Sequence, residues 1–286
     1  MAKRFNIFIS FDLEGISGVT SWKEMRKDSP DLLRIRRLAT QEVNAAIRGV
    51  KKSGMEIGEI LICDSHASGE NLLIEELEPG VELIKGTHRN YYMMEGLNEN
   101  FDVVFFIGYH AMVGTEDGMM DHSYSSSLIY NIKINGQYVG ESEINAGIAG
   151  HYGVPLGLVS GDDKLIQEIK RFFGTGVETV ITKSSISRFC AKCRHPDDVQ
   201  KEIELKAGRV VRKINKLKPF KFKYPINAEV EMINSLFGDA IKSLPGLKRV
   251  SARKFSFKSK NILEFYRHLM LICDLAGYAN YTTSPS

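Results

Sequence analysis

The apolar run 6–11, NIFISF, stops at Asp12, Leu13, Glu14 and Gly15, and no other stretch constrains the fold as strongly. It alternates too little for a half-exposed strand and reads as a buried parallel one. Successive side chains of extended backbone point to opposite faces, so Asp12 and Glu14 project together beyond the strand end. Two carboxylates held that close repel each other and call for a shared proton or a cation. A local alternative stands beside this reading, with Asp12 capping the next turn and Glu14 solvated.

The same pattern recurs along the chain. The run 57–63 leads into Asp64-Ser65-His66, and 101–107, the most hydrophobic strand, leads into Gly108-Tyr109-His110. Further strands are predicted at 81–84 and 154–160. Helical spacing predicts helices over 32–52, stopped by Ser53-Gly54, and over 91–97, 145–152 and 164–173. Asn135-Gly136, between the runs 127–134 and 137–139, signals a hairpin that Gly140-Glu141 closes.

Strand and helix alternate to about residue 187, which gives an α/β fold with a largely parallel sheet flanked by helices. A basic amphipathic helix over 196–217 precedes the two-proline segment 218–225. That segment is the expected boundary between an α/β metal-binding catalytic domain, 1–218, and a smaller C-terminal α+β unit, 225–286. The unit is expected to hold strands at 228–232 and 249–257 and a closing helix at 261–278.

Three apolar strands thus end in metal-ligand residue types, Asp12 with Glu14, then His66, then His110, and the hairpin adds Glu141. Open α/β sheets bind ligands beyond the carboxyl ends of their strands, so these residues are expected at one sheet edge. Three carboxylates and two neutral imidazoles balance two divalent cations and one hydroxide. Such a mixed set suits Zn²⁺, Mn²⁺ or Co²⁺ better than Ca²⁺, which takes oxygen ligands. A metal pair lowers the pKa of a bridging water and polarises a carbonyl or phosphoryl oxygen.

The segments Phe11-Asp12-Leu13-Glu14-Gly15-Ile16-Ser17-Gly18, Asp64-Ser65-His66, Gly108-Tyr109-His110-Ala111, Asp121-His122-Ser123 and Val139-Gly140-Glu141 resemble, in order, the motifs of the D-aminopeptidase family, peptidase family M55. Gly161-Asp162-Asp163 and Ser185-Ile186-Ser187-Arg188 are similar to further family segments, and the likeness weakens after about residue 225. The resemblance implies a zinc-dependent aminopeptidase whose two metals are held by Asp12, Glu14, His66, His110 and Glu141, with Asp12 as the bridge. It implies that His122 is catalytic, as nucleophile in the family's description. General acid–base work is the chemically better role, because a metal-bound hydroxide is already a competent nucleophile. It also implies a ring-stacked homodecamer enclosing a chamber. Glu143 stands where the family has a glycine, and either receives a substrate ammonium or is simply an exposed residue.

Other polar residues carry local alternatives. Asp64 shares a face with His66 and is a candidate to orient that ring, or a plain turn residue. Asn145, one helical turn beyond Glu141, faces the site or starts a helix. Asp162 and Asp163 precede a helix, where acids favour the N-terminal dipole, and read as caps. Cys190 and Cys193 have zinc-like spacing but no second pair to complete four ligands.

A net charge of +3 over 286 residues gives no reason to expect a nucleic-acid partner. No apolar stretch reaches membrane-spanning length, and no cleavage pattern comes after the first apolar run. Four cysteines in so long a chain read as reduced thiols, so a cytoplasmic protein is expected. The expected function is release of N-terminal residues from short peptides, D-amino-acid peptides included, by a metal-bridging hydroxide. The alternatives are a dinuclear phosphoesterase and a non-enzymatic peptide-binding protein.

Overall fold

The computed structural model describes residues 3–283. In chain order the elements are β1 (Phe5–Phe11), α1 (Leu32–Lys51), β2 (Ile57–Asp64), β3 (Glu82–Ile84), β4 (Val103–Tyr109), β5 (Ile129–Ile134), β6 (Gln137–Tyr138), α2 (Glu141–His151), β7 (Leu156–Asp162) and α3 (Asp163–Phe173). Then come β8 (Glu178–Ser187), β9 (Cys190–Cys193), α4 (Pro196–Arg212), β10 (Ile226–Met232), α5 (Ser235–Ile241), β11 (Lys248–Arg249), β12 (Lys254–Ser259) and α6 (Ile262–Thr283).

A seven-stranded sheet has the order β3-β2-β1-β4-β7-β8-β9 and is parallel except for β9, which folds back on β8. This is the α/β class the alternating pattern predicts. β1 lies inside it between β2 and β4, and Phe11 is level with Asp64 on β2 and Ile107 on β4. Three strands therefore stop side by side, and the loops leaving them meet at one edge.

The sheet is buried on both faces. Ile7, Ile9, Phe11, Phe105, Ile107 and Leu158 face the layer made by α1 and α4. Phe8, Val104, Phe106 and Val159 face the opposite layer, which holds residues of α2 and α6. Burial of each such side chain contributes roughly 2 kcal/mol. Packing on this scale holds β1 in place although its end carries two carboxylates.

The opposite layer also contains a five-stranded antiparallel sheet, β11-β12-β10-β5-β6. Its central strand β10 sits between β12 and β5, with Val230 level with Phe255 and Ile132. Residues 129–138 thus complete the sheet of the C-terminal segment, across the chain from it.

Three local differences from sequence expectation have physical causes. α2 starts at Glu141 rather than at residue 145, because Gly140 is its N-cap and the Glu143 carboxylate accepts a hydrogen bond from Gly140 N at 2.8 Å. Glu141 is therefore a first-turn helical residue and not the end of a hairpin strand. The segment 91–97 forms only a 3₁₀ turn over Tyr92–Met94. The strand expected over 249–257 splits into β11 and β12 around an exposed bend.

Candidate active site

The loop leaving β1 is fixed by backbone and by a buried lysine. Asp12 N donates to Ile107 O at 2.8 Å and Gly15 N to Gly108 O at 2.7 Å. Side chains at Gly15 and Gly108 would collide with the facing backbone, and Gly108 also has φ of +77°. Only glycine allows this approach. From β8, the Lys183 ammonium donates to the carbonyls of Glu14, Ile16 and Val19, and Thr182 Oγ1 donates to Gly15 O at 2.5 Å. Ser17 N donates to Glu42 Oε1 at 2.8 Å. Asp12 and Glu14 are held in this frame at 3% and 1% exposure.

The loop after β2 is organised by Asp64. Its carboxylate accepts from Asn71 N at 2.6 Å, Asn71 Nδ2 at 2.8 Å and Leu72 N at 2.8 Å. Asn71 Nδ2 also donates to His66 O at 2.8 Å. Asp64 thus acts on the His66 backbone through Asn71 and makes no bond to its ring. Under the cluster, Tyr109 Oη lies 2.6 Å from Ser10 Oγ and accepts from Asn145 Nδ2 at 3.0 Å, while Tyr124 Oη donates to Asn145 Oδ1 at 3.2 Å.

Six side chains converge. His66 Nδ1 lies 3.2 Å from Asp12 Oδ1 and 2.9 Å from Glu14 Oε2. His110 Nε2 lies 3.5 Å from Asp12 Oδ2 and 3.6 Å from Glu141 Oε1. Asp12 so presents one oxygen to each half of the cluster. His122 Nε2 lies 3.9 Å from both Glu14 Oε1 and Glu141 Oε1. His110 Nδ1 is 2.9 Å from Ala111 O and His122 Nδ1 is 2.9 Å from Met120 O. A carbonyl only accepts, so both Nδ1 atoms carry a proton, and in the neutral rings both Nε2 atoms turn a lone pair to the cluster.

Charge compensation inside the cluster is incomplete. Buried Glu14 Oε2 and His110 Nε2 have no aligned hydrogen-bond partner, even though His66 Nδ1 approaches the former. Burial and the Glu14 charge push Asp12 up to about 7. Burial also acts to raise Glu14, but His66 outweighs it and holds Glu14 well below the usual carboxylate range. Burial works against charge on His66 and His110, yet Glu14 and Glu141 respectively drive their pKa values well above normal. Burial and then the neighbouring His110 lower His122.

Carboxylate oxygens, imidazole nitrogens and orphaned buried atoms facing one another form a donor set that fits divalent cations. Among the described residues, the two groups able to share an ion both lie here: His110, His122 and Glu141, and Asp12, Glu14 and His110, each within 4.8 Å. His122 therefore has the geometry of a ligand as well as that of a proton carrier. Glu143 does not join the cluster. It is fully buried, bound to Gly140 N, with one carboxylate oxygen unpartnered. Cys190 and Cys193 are exposed on β9, and Asp162 caps α3 by accepting from Lys164 N at 2.8 Å.

A cavity of about 270 Å³ opens over the cluster, with Asp12, Glu14, His66, His122, Glu141 and Trp22 in its wall. Trp22 Nε1 donates to Glu14 Oε1 at 3.3 Å and its ring meets His122 edge-on at 5.8 Å. Sequence reasoning missed Trp22, Tyr109, Tyr124 and Lys183. The signals were faint: a lone tryptophan eight residues after Glu14, and a lysine inside the strand 178–187.

A parallel sheet edge, a buried carboxylate–imidazole cluster and a cavity over it define a metallohydrolase. Within that class the chain has specific relatives. The family model Peptidase M55, D-aminopeptidase, matches residues 5–271, and the chain belongs to this family. The D-aminopeptidase of Bacillus subtilis (strain 168) is 31% identical over 274 residues, which is 94% of this chain and 97% of the relative. The solved structure of the Zn-dependent D-aminopeptidase DppA from Bacillus subtilis, a self-compartmentalizing protease, aligns with TM-score 0.90 and 31% identity, covering 96% of this chain and 98% of that one.

Proposed function

We propose that this chain is a zinc-dependent aminopeptidase that removes N-terminal residues from short peptides, D-amino-acid peptides among them. The observation that carries the site assignment is Asp12, whose two oxygens face separate histidines, His66 and His110. Asp12, Glu14 and His66 would hold one cation, and Asp12, His110 and Glu141 a second. When bound, such a pair activates a water and polarises the scissile carbonyl.

The chain's own residues supply proton transfer, orientation and shielding. His122 keeps its proton on Nδ1, bound to Met120 O, and offers Nε2 to take a proton and pass it to the leaving amine. Trp22 and Tyr124 wall the cavity and limit water around the reacting carbonyl. Glu14 is oriented by Trp22 Nε1, and Glu141 by the backbone N–H of Tyr124 at 2.6 Å. Asp64, through Asn71, and Asn145, through Tyr109 and Tyr124, hold the frame rather than touch the substrate. Glu143 supports the start of α2.

Assembly and location extend the same reading. A homodecamer enclosing the active sites is supported by the self-compartmentalizing relative. Leu271, Leu275, Tyr278 and Tyr281 also leave an apolar stripe exposed along α6. No helix among the described residues is long and apolar enough to cross a membrane, in keeping with a cytoplasmic enzyme. The division into 1–218 and 225–286 is part of the proposal, with the strands 129–138 as the seam between the units.

The test is hydrolysis of matched D- and L-peptide p-nitroanilides by zinc-loaded protein beside p-nitrophenyl phosphate. Release of p-nitroaniline, abolished in Asp12→Ala, is the expected result. Phosphate-ester cleavage alone would overturn it.

A further inference from the structure

A second cavity of about 950 Å³ adjoins the one over the cluster. The two share Ser126, and Asp121 of the larger one precedes His122 of the smaller. A cavity of 270 Å³ admits one terminal residue and the carbonyl to be cleaved, so the remainder of a peptide must leave it. The larger space is the adjoining room, and its size is within the usual range for ligand pockets.

Its wall carries three cations, Lys164, Arg171 and Arg188, and three carboxylates, Glu116, Asp121 and Glu168. Lys164 and Arg171 lie seven residues apart on α3, so they sit on one helix face roughly 10 Å apart along the axis. Neither makes an ion pair among the described residues. Arg188 stands near the boundary. Its Nε is 2.8 Å from Asp121 Oδ1 and its guanidinium lies 5.2 Å over the Trp22 ring. Asp121 is thereby used. Glu168, between the two α3 cations, is turned inward, accepting from Thr115 Oγ1 and from Met112 N at 3.1 Å. Burial and the nearby Glu143 push it up to about 8, so it leaves the cations uncancelled at neutral pH. Glu116 is the one exposed carboxylate of the lining that has no cation of its own among the described residues.

We propose that this cavity seats the C-terminal part of the peptide, and that Lys164 and Arg171 read its free terminal carboxylate. The inference rests on the aminopeptidase reading and narrows its substrate class to short peptides with an unblocked C-terminus. An internal segment of a long chain, or an amidated peptide, would bring neither cation a carboxylate, leaving Lys164 to solvent and Arg171 to solvent and its stacking on Phe172. Recognition by flexible surface cations is electrostatic, weakened by salt and expressed in binding rather than in the chemical step.

The experiment is a binding titration of the zinc-loaded protein with a tripeptide whose first peptide bond is reduced and cannot be hydrolysed, as free acid and as amide. Trp22, the single tryptophan, reports binding by fluorescence. Wild type is expected to bind the acid about 10-fold more tightly than the amide, and the double variant Lys164→Gln, Arg171→Gln to lose that difference by weakening the acid alone. Equal binding of acid and amide by wild type, or equal weakening of both in the variant, overturns the proposal. Cleavage of the parent tripeptide is measured in parallel. Cleavage without acid preference removes the carboxylate reading and leaves the aminopeptidase standing. No cleavage of either form by metal-loaded protein removes both.

Discussion

The imidazoles of His110 and His122 lie face to face, centroids 4.0 Å apart and planes within 8° of parallel. Two imidazolium ions cannot share that contact, so a charge on one disfavours a charge on the other. His110 Nε2 faces Asp12 and Glu141, whereas His122 Nε2 is 3.9 Å from its nearest carboxylates. The pair therefore divides into a deep residue engaged with the acids and a shallower one free to move a proton.

His122→Ala is expected to lower kcat/KM by about 10²- to 10⁴-fold, the usual worth of a positioned acid–base group. Metal content, measured by elemental analysis, is expected to stay at the wild-type value. Loss of one metal together with activity would make His122 a ligand, as its approach to His110 and Glu141 also permits.

Asp12 faces both His66 and His110, so in the proposed two-metal centre its removal acts on both cations. Asp12→Ala is expected to abolish tight binding of both cations, where His66→Ala weakens one. Chelation of wild type with EDTA is expected to lower its melting temperature, because metals that bind only the folded chain stabilise it by mass action. In Asp12→Ala the same treatment is expected to change nothing. A melting temperature in that variant that still falls with EDTA would place the metals elsewhere.

Much of this arrangement is legible in the sequence because strand ends are. An apolar run that stops on a ligand residue states both its burial and its direction, and parallel strands bring such ends to one edge. That logic located Asp12, Glu14, His66 and His110. Glu141 reads in the sequence as the close of a hairpin and is a first-turn helical residue in the fold, since a glycine N-cap followed by Glu143 resembles a hairpin end. The pairing of 129–134 with 228–232 is invisible in the sequence because strand pairing over some hundred residues leaves no local signal. Lys183 was passed over for a related reason. A lysine in a strand reads as exposed, and its three carbonyl partners lie more than 160 residues away.

Lys183→Met tests that clamp. The variant keeps the bulk of the side chain but strips the buried carbonyls of Glu14, Ile16 and Val19 of their donor, at a cost of about 3 kcal/mol or more. Denaturant unfolding is expected to show that loss. Metal affinity is expected to fall as well, because the same loop carries Asp12 and Glu14. Unchanged stability would mean that the loop is held by its backbone contacts and Thr182 alone.

Glu42 offers a pH test away from the donor atoms. Its Oε1 accepts from Ser17 N at 2.8 Å, while Oε2 is buried without a partner. Burial pushes its pKa from 4.5 up to about 7, against the weaker opposing effects of the Ser17 hydrogen bond and of Lys183. Between those values the folded chain holds a proton that the unfolded chain has released. Stability contributed by protonated Glu42 is thus fully present below about 4.5 and is lost as pH rises through about 7. A shift of this size corresponds to something on the order of 3 kcal/mol. Glu42→Gln mimics the protonated acid and keeps an acceptor for Ser17. Denaturant unfolding of both proteins from pH 5 to pH 8 is therefore expected to show the variant gaining on wild type as pH rises, with most of the gain complete by about pH 8. Parallel curves over that range would mean that Glu42 stays ionised in the folded protein, with the Lys183 ammonium as its counter-charge.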